Sequence, residues 1–174
     1  MAEDQELRVP TVPVRVELAL VGRAAEAVEV FLADVPRTGR SHLARDVVAL
    51  LEDHAPFFPA RAGDQVALCA RAAVAWVALA TVSTAGGGEG GDAVPEEVQG
   101  VEPSEVLDLY DHRHDLRVEL TGGAAVEGHV FDSSPIEQQR LADHLNRAGR
   151  FLWVWRETTL YLINTHHVVR VVER

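Results

Sequence analysis

The sequence predicts an α+β protein made of two tandem copies of one small unit. Each unit is expected to be a strongly bent antiparallel sheet of about five strands with one packed helix. Short runs of alternating apolar and polar residues are separated by glycine turns, an amphipathic helical stretch follows each first pair of runs, and this order occurs twice. A chain of 174 residues has room for two such units.

The first copy opens with a predicted hairpin. In Val14–Leu20 every second residue is apolar, Gly22 offers a turn, and Ala25–Leu32 alternates again. A period of two places one face of a strand on a core and the other in water. The two runs are therefore expected to pair as antiparallel strands.

A helix and further strands follow in this copy. Ser41 suits the N-cap of a helix with one apolar stripe that runs to about His54. Pro56 forbids continuation of the helix. Residues 57–61 are predicted to form a short strand, and residues 66–79 one or two more, with a break near 70–72.

A stretch rich in glycine and acidic residues, GGGEGGDAVPEEVQGVEP, separates the copies. Such a composition cannot bury an apolar face, so it predicts a flexible linker. The expected organisation is an N-terminal tail (1–13), the first repeat (14–82), the linker (83–104) and the second repeat (105–174).

The second copy repeats the plan. Leu116–Leu120 alternates, Gly122 and Gly123 offer the turn, and Val126–Phe131 returns. A capping-box pattern predicts the start of the second helix, with residues at N-cap, N1 and N3: Ser134, Pro135 and Glu137. Three strands are expected after this helix: Phe151–Trp155, Thr159–Ile163 and His167–Val172.

The copies can be aligned although few residues are identical. Val30-Phe31 falls on Val130-Phe131, Phe57-Phe58 falls on Phe151-Leu152, and Val66 falls on Leu160. The order of strand pair, helix and strand pair is kept, which favours an internal duplication.

One phrase of the second copy resembles a known family. Val118–Phe131, with hydrophobic residues before Glu-Leu, a glycine turn and Glu-Gly before a hydrophobic-Phe pair, resembles the second and third strands of Sm-like proteins. These are small bent-sheet barrels that bind RNA, and Gly128 would allow the sharp curvature. The resemblance implies an Sm-like barrel in each copy.

Two departures from that family concern RNA binding. Sm-like proteins have a glycine-containing RNA-binding signature between their last two strands, whereas the corresponding turns here contain residues 70–72 and 164–166 and no glycine. The predicted helix also lies within each copy, between its two strand pairs, whereas in Sm-like proteins it precedes the strands. The resemblance therefore implies a curved sheet more than it implies RNA binding.

Composition narrows the possible partners. The formal charge of −11, from 27 acidic and 16 basic residues, makes nucleic acid an unfavourable partner.

Cys69 is the single cysteine and is expected to be a buried thiol. No stretch approaches the roughly 18 apolar residues of a membrane span, and the acidic N-terminus is unlike a signal peptide. We expect a cytoplasmic location, and the excess of alanine and arginine over lysine is typical of GC-rich bacterial genomes.

Few residues of the sequence are candidates for metal binding or catalysis. His112 and His114, with a nearby acid, could begin a metal site, but no third ligand has a spacing tied to them. His166 and His167 are expected to point to opposite faces of a strand. Without a catalytic or phosphate-binding motif, we predict no catalytic residue, no metal and no cofactor.

The remaining candidate is aromatic. Phe151, Trp153 and Trp155 share one strand face, which is usually core packing. The alternative is an exposed stripe flanked by Arg150 and Arg156 that docks a protein.

The favoured hypothesis is thus a non-catalytic bacterial binding or scaffold protein that recognises a protein partner through a sheet edge or this aromatic surface. The alternatives are an Sm-like RNA-binding module and a histidine-dependent metal enzyme, and a homo-oligomer is left open.

Overall fold

The computed structural model of the chain describes residues 10–34, 42–80, 112–132 and 140–174, without the side chains of His42, His112 and Asp132. Its strands are β1 (Thr11–Leu20), β2 (Glu26–Ala33), β3 (Phe57–Ala62), β4 (Gln65–Ala70), β5 (Val74–Ala80), β6 (His112–Leu120), β7 (Ala125–Asp132), β8 (Phe151–Arg156), β9 (Thr159–Asn164) and β10 (Val168–Glu173). Two helices are described, α1 (His42–Glu52) and α2 (Leu141–Arg147). Neither of these two helices has the length and apolar character needed to cross a membrane.

Several predicted features lie outside the described residues. These are the N-cap Ser41, the capping box at Ser134, Pro135 and Glu137, and the linker 83–104. The predicted break near residues 70–72 is confirmed, because a 3-10 turn at Arg71–Ala73 separates β4 from β5. An equivalent turn, Thr165–His167, separates β9 from β10, so the last strand begins one residue later than predicted.

The strands form one antiparallel sheet in the order β10-β6-β7-β8-β9-β5-β1-β2-β3-β4. The prediction of an α+β protein with antiparallel sheets is confirmed. Whether the two sheets join was left open by the sequence, and the described strands make a single open sheet of ten strands. The β5–β9 pairing joins the two parts of the chain and satisfies an edge of each. An Sm-like arrangement of the two copies stays a prediction.

The two halves of this sheet have the same strand order and register. We call β1–β5 with α1 the first half and β6–β10 with α2 the second half. In each half the fifth strand lies beside the first. Val14 pairs with Val30 as His114 pairs with Val130, an offset of 100 residues.

The third and fourth strands of the two halves also have the same pairing register. Phe58 faces Cys69 in the β3–β4 pair, and Leu152 faces Ile163 in the β8–β9 pair, an offset of 94 residues. The register shift between Ala19 and Leu20 where β1 meets β5 has its counterpart at the same position where β10 meets β6. Each described strand of the first half therefore has an equivalent in the second.

Two buried clusters form the interior. The first core combines first-half strands and α1 with four side chains of the second half: Phe151, Trp155, Leu160 and Leu162. The second core is smaller and contains Leu116, Val118, Leu120, Val126, Val130, Leu152, Val154 and Ile163. Cys69 is buried in the first core as predicted, and this burial raises the pKa of its thiol.

Gly128 of β7 lies tightly against the backbone of β8. A Cβ atom at this position would collide with the backbone carbonyl oxygen of Trp155 and lie 2.7 Å from Cγ1 of Val154. Only a residue without a side chain fits here, which explains the glycine inside a strand.

Candidate functional site

The outer strands of the sheet leave large apolar side chains in water. In the part of the chain that the structure describes, the exposed large hydrophobic residues are Phe57 (52%), Val66 (62%), Leu68 (71%), Val169 (68%) and Val172 (37%). All of them lie on the β3–β4 hairpin or on β10. Because β4 and β10 are the two terminal strands, each also presents a row of backbone N–H and C=O groups that pair with no described strand.

The first candidate site is the β4 edge, defined as Gln65–Ala70 together with the side chain of Phe57. Its sequence, QVALCA, contains no charged residue and no proline. Natural edge strands are commonly protected against pairing with other chains by charged residues, proline or bulges. This strand has neither a charged residue nor a proline. Its chemistry suits pairing with another strand.

The second candidate site is the β10 edge, Val168–Glu173. Arg170 donates two hydrogen bonds to Glu119 at 3.0 and 2.8 Å, and these hold the pKa of that carboxyl below its usual value. Glu173 lies 2.8 Å from Nδ1 of His114. Both charges contact the neighbouring strand β6, so they tie β10 to the sheet and leave Val169 and Val172 facing solvent.

An open groove of about 630 Å³ lies beside β6 and β7. The ionisable residues that line it are Arg113, Asp115, Glu127, His129, Arg156, Glu157 and Arg174. The charges are largely compensated, since Arg113 donates to Asp115 at 2.8 Å and Arg174 to Glu127 at 2.7 Å. Burial, and then the charge of Arg113, lower the pKa of His129.

The metal prediction is only partly covered by the structure. The side chain of His112 is outside the described residues, while His114 contacts Glu173 and has a buried Nε2 with no hydrogen-bond partner among the described residues. Among the side chains that are described, no three of His, Cys, Asp and Glu come together as metal ligands. The alternative of a histidine-dependent metal enzyme stays a hypothesis.

The turn at residues 164–166 joins the two halves of the sheet through hydrogen bonds. Asn164 is buried, donates to the carbonyl oxygen of Val74 at 2.9 Å and accepts from the backbone N–H of His166 at 3.2 Å. Nε2 of His167 lies 2.7 Å from the carbonyl oxygen of Ala72. These polar groups join the two halves of the chain, and RNA binding stays a hypothesis.

The predicted aromatic surface is divided between core and solvent. Phe151 and Trp155 are each 5% exposed and belong to the first core, and Trp153 is half-buried against it. Arg150 lies over the ring of Phe151, 5.8 Å from its centroid, while Arg156 is exposed. Core packing accounts for Phe151 and Trp155. A docking role for Arg150, Trp153, Trp155 and Arg156 as a set stays a prediction.

The sheet edges were anticipated in general terms, but their residues were not. Val66 and Leu68 alternate as core residues do, and this alternation does not reveal that no described strand covers them. The available signal was the lack of any charge in Gln65–Ala70. No protein-family model, no curated protein and no solved structure matches this chain.

Proposed function

We propose that this is a non-catalytic binding or scaffold protein that recognises a protein partner along the edges of its sheet. One observation carries the proposal: in the described residues, the exposed large hydrophobic side chains lie beside the two terminal strands. Strand addition combines backbone hydrogen bonds, which give affinity, with side-chain contacts, which give specificity. The β4 and β10 edges offer both.

We also infer that the two halves descend from one curved sheet-and-helix module. Equal strand order, equal register and a register shift at the same position support this. A duplicated module whose described residues form no evident catalytic constellation suits a binding role, because function resides in particular sites and not in a fold.

The proposal can be tested by affinity capture from lysate of the source cells. The bait carries an N-terminal tag, which leaves the last strand unmodified. Three variants are compared with the wild type: Leu68→Lys at the β4 edge, Val172→Lys at the β10 edge, and Ala49→Lys on the exposed side of α1 as a control with the same charge change.

The expected result is that captured proteins, including untagged copies of the chain, are retained by wild type and Ala49→Lys. At least one edge variant should lose them, because a lysine beside an incoming strand is a common natural device against edge pairing. Identical recovery by all four baits would refute edge recognition.

A further inference from the structure

We propose that the partner at these edges is a second copy of the chain. In this assembly β4 of one copy pairs antiparallel with β10 of the next, and repeats between molecules the β9–β5 junction that exists within each molecule. The inference rests on the proposed edge recognition and specifies its partner.

The internal junction supplies the template. In it Val77 of β5 faces Leu162 of β9, and Leu79 faces Leu160. Leu162 and Leu160 are 0% and 1% exposed, since both reach into the first core. The second half thus closes the core of the first half through this pairing.

Each strand of the junction has an equivalent at a free end of the sheet. β4 is the first-half equivalent of β9, and β10 is the second-half equivalent of β5, both at the offset of 94 residues. Among the described strands, one of each kind therefore lacks this pairing. Transferring the internal register to these strands places Val171 opposite Leu68 and Val172 opposite Ala67.

The burial of equivalent residues shows what the free edges lack. Phe57, Val66 and Leu68 are 52%, 62% and 71% exposed, and their equivalents are Phe151, Leu160 and Leu162, at 5%, 1% and 0%. On the receiving strand Val169 and Val172 are 68% and 37% exposed, and their equivalents are Ala75 and Ala78, at 4% and 3%. Every large exposed hydrophobic residue of the described structure thus has a buried counterpart on the strands at or next to the internal junction.

In the described residues, the second core lacks counterparts of the side chains that the first core receives from the other half of the chain. Val171 of β10 already packs against the second core, as Val77 of β5 belongs to the first core. The first core receives Phe151, Leu160 and Leu162 from the other half of the chain, whereas the described second core receives no residue of β3 or β4. Phe57, Val66 and Leu68 of a neighbouring copy would fill this place.

Because the two edges differ, the contact is head to tail. Such an interface leaves a free β4 edge and a free β10 edge at the ends of each dimer. Addition continues until a ring closes, or produces a filament if the rotation between copies does not close.

The first test measures the mass of the purified full chain by sedimentation velocity over a range of concentrations. We expect wild type and Ala49→Lys to form species that are multiples of the 19.0 kDa chain. Leu68→Lys alone and Val172→Lys alone should each sediment as single chains, with at least a tenfold weaker association.

Mixing the two edge variants gives the decisive result. Leu68→Lys retains a normal β10 edge and Val172→Lys a normal β4 edge, so an equimolar mixture should form a dimer that grows no further. If either variant alone still dimerised, the interface would be between like edges and the proposal would be wrong. Circular dichroism of each variant, expected to equal that of wild type because both residues are exposed, verifies that folding is intact.

A disulfide test checks the register independently. In a Cys69→Ala background, which removes the native thiol, Ala67→Cys mixed with Val172→Cys should cross-link on mild oxidation. Ala67→Cys mixed with Val169→Cys is out of register and should not. Equal cross-linking of both mixtures, or of the second alone, would contradict the proposed pairing.

These outcomes separate the inference from edge recognition itself. A wild type that stays a single chain, while the Leu68→Lys bait loses some other captured protein, would overturn self-association and support edge recognition. A wild-type assembly that both lysine variants leave intact would overturn both.

Discussion

The β3–β4 hairpin and the β8–β9 hairpin have the same length and pairing register but opposite surroundings. Leu162 of β9 is completely buried, and its equivalent Leu68 of β4 is 71% exposed. The difference does not come from the residue type, since both are leucine. It comes from the neighbouring strand, because β9 lies beside β5 and β4 ends the sheet. Equivalent strands can therefore be buried in one half and form an exposed sheet edge in the other.

The largest expected effect compares these two leucines directly. Leu162→Ala should lower the free energy of unfolding by about 2–5 kcal/mol, because it leaves a cavity in the first core. Leu68→Ala should change it by less than about 0.5 kcal/mol in the single chain. Urea unfolding at a concentration below that of self-association measures both, and similar losses would mean that the two hairpins share one environment.

Gly128 tests whether the second half needs its close strand contact. Gly128→Ala places a methyl group against the backbone of Trp155, and overpacking of this kind costs about 1–3 kcal/mol. Gly149→Ala is the matched control, because a Cβ atom there meets nothing within 4 Å. Thermal unfolding of both proteins should show a lower midpoint for Gly128→Ala alone, and equal midpoints would mean that β7 and β8 can separate without cost.

Local patterns predicted the elements of this fold but not their arrangement. Alternation and glycine turns identified the hairpins, and Gly22 and Gly122 indeed have positive φ angles of 75° and 92°. The aligned pairs of residues reappear in the pairing register. The β5–β9 junction could not be foreseen, because it joins residues such as Trp76 and Ile163 that are far apart in sequence.

The exposed β4 edge was also not predictable from local sequence patterns. A strand such as Gln65–Ala70 carries the signal of its own conformation, but its exposure depends on which strand lies beside it. Arg71 is a second case, because its buried side chain donates to the carbonyl oxygens of Leu50, Ala55 and Phe57. No pattern of spacing marks an arginine for that structural role.

A smaller gain is expected from making the free edge more like the internal junction. The amide of Asn164 donates across that junction to the carbonyl oxygen of Val74, and the equivalent residues at the free edges are Ala70 and Val168. Ala70→Asn should therefore add a hydrogen bond across the proposed interface, worth about 0.5–1.5 kcal/mol, or roughly 2- to 10-fold tighter self-association. Sedimentation equilibrium measures the change, with Ala70→Ser as a control that is polar but too short, and an unchanged or weaker association of Ala70→Asn would argue against the register.

The smallest effect concerns pH and again separates the halves. Burial first, and then the charge of Arg113, lower the pKa of His129, whereas its equivalent Glu29 forms an ion pair with Arg61. A lowered pKa in the folded state means that His129 binds a proton more readily in the unfolded chain. The folded state therefore has a stability contribution that is present above about pH 6.5. This contribution is lost as the pH falls through the lower pKa of the folded state.

Replacement by a residue that does not titrate isolates this contribution. The difference in unfolding free energy between wild type and His129→Gln should decrease from pH 7 to pH 5, as measured by urea unfolding at each pH. Glu29→Gln, at the equivalent position of the first half, is measured in parallel under the same conditions. A constant difference for His129→Gln would mean that the histidine is equally accessible to protons in the folded and unfolded chain, so that the second half does not shield it from solvent.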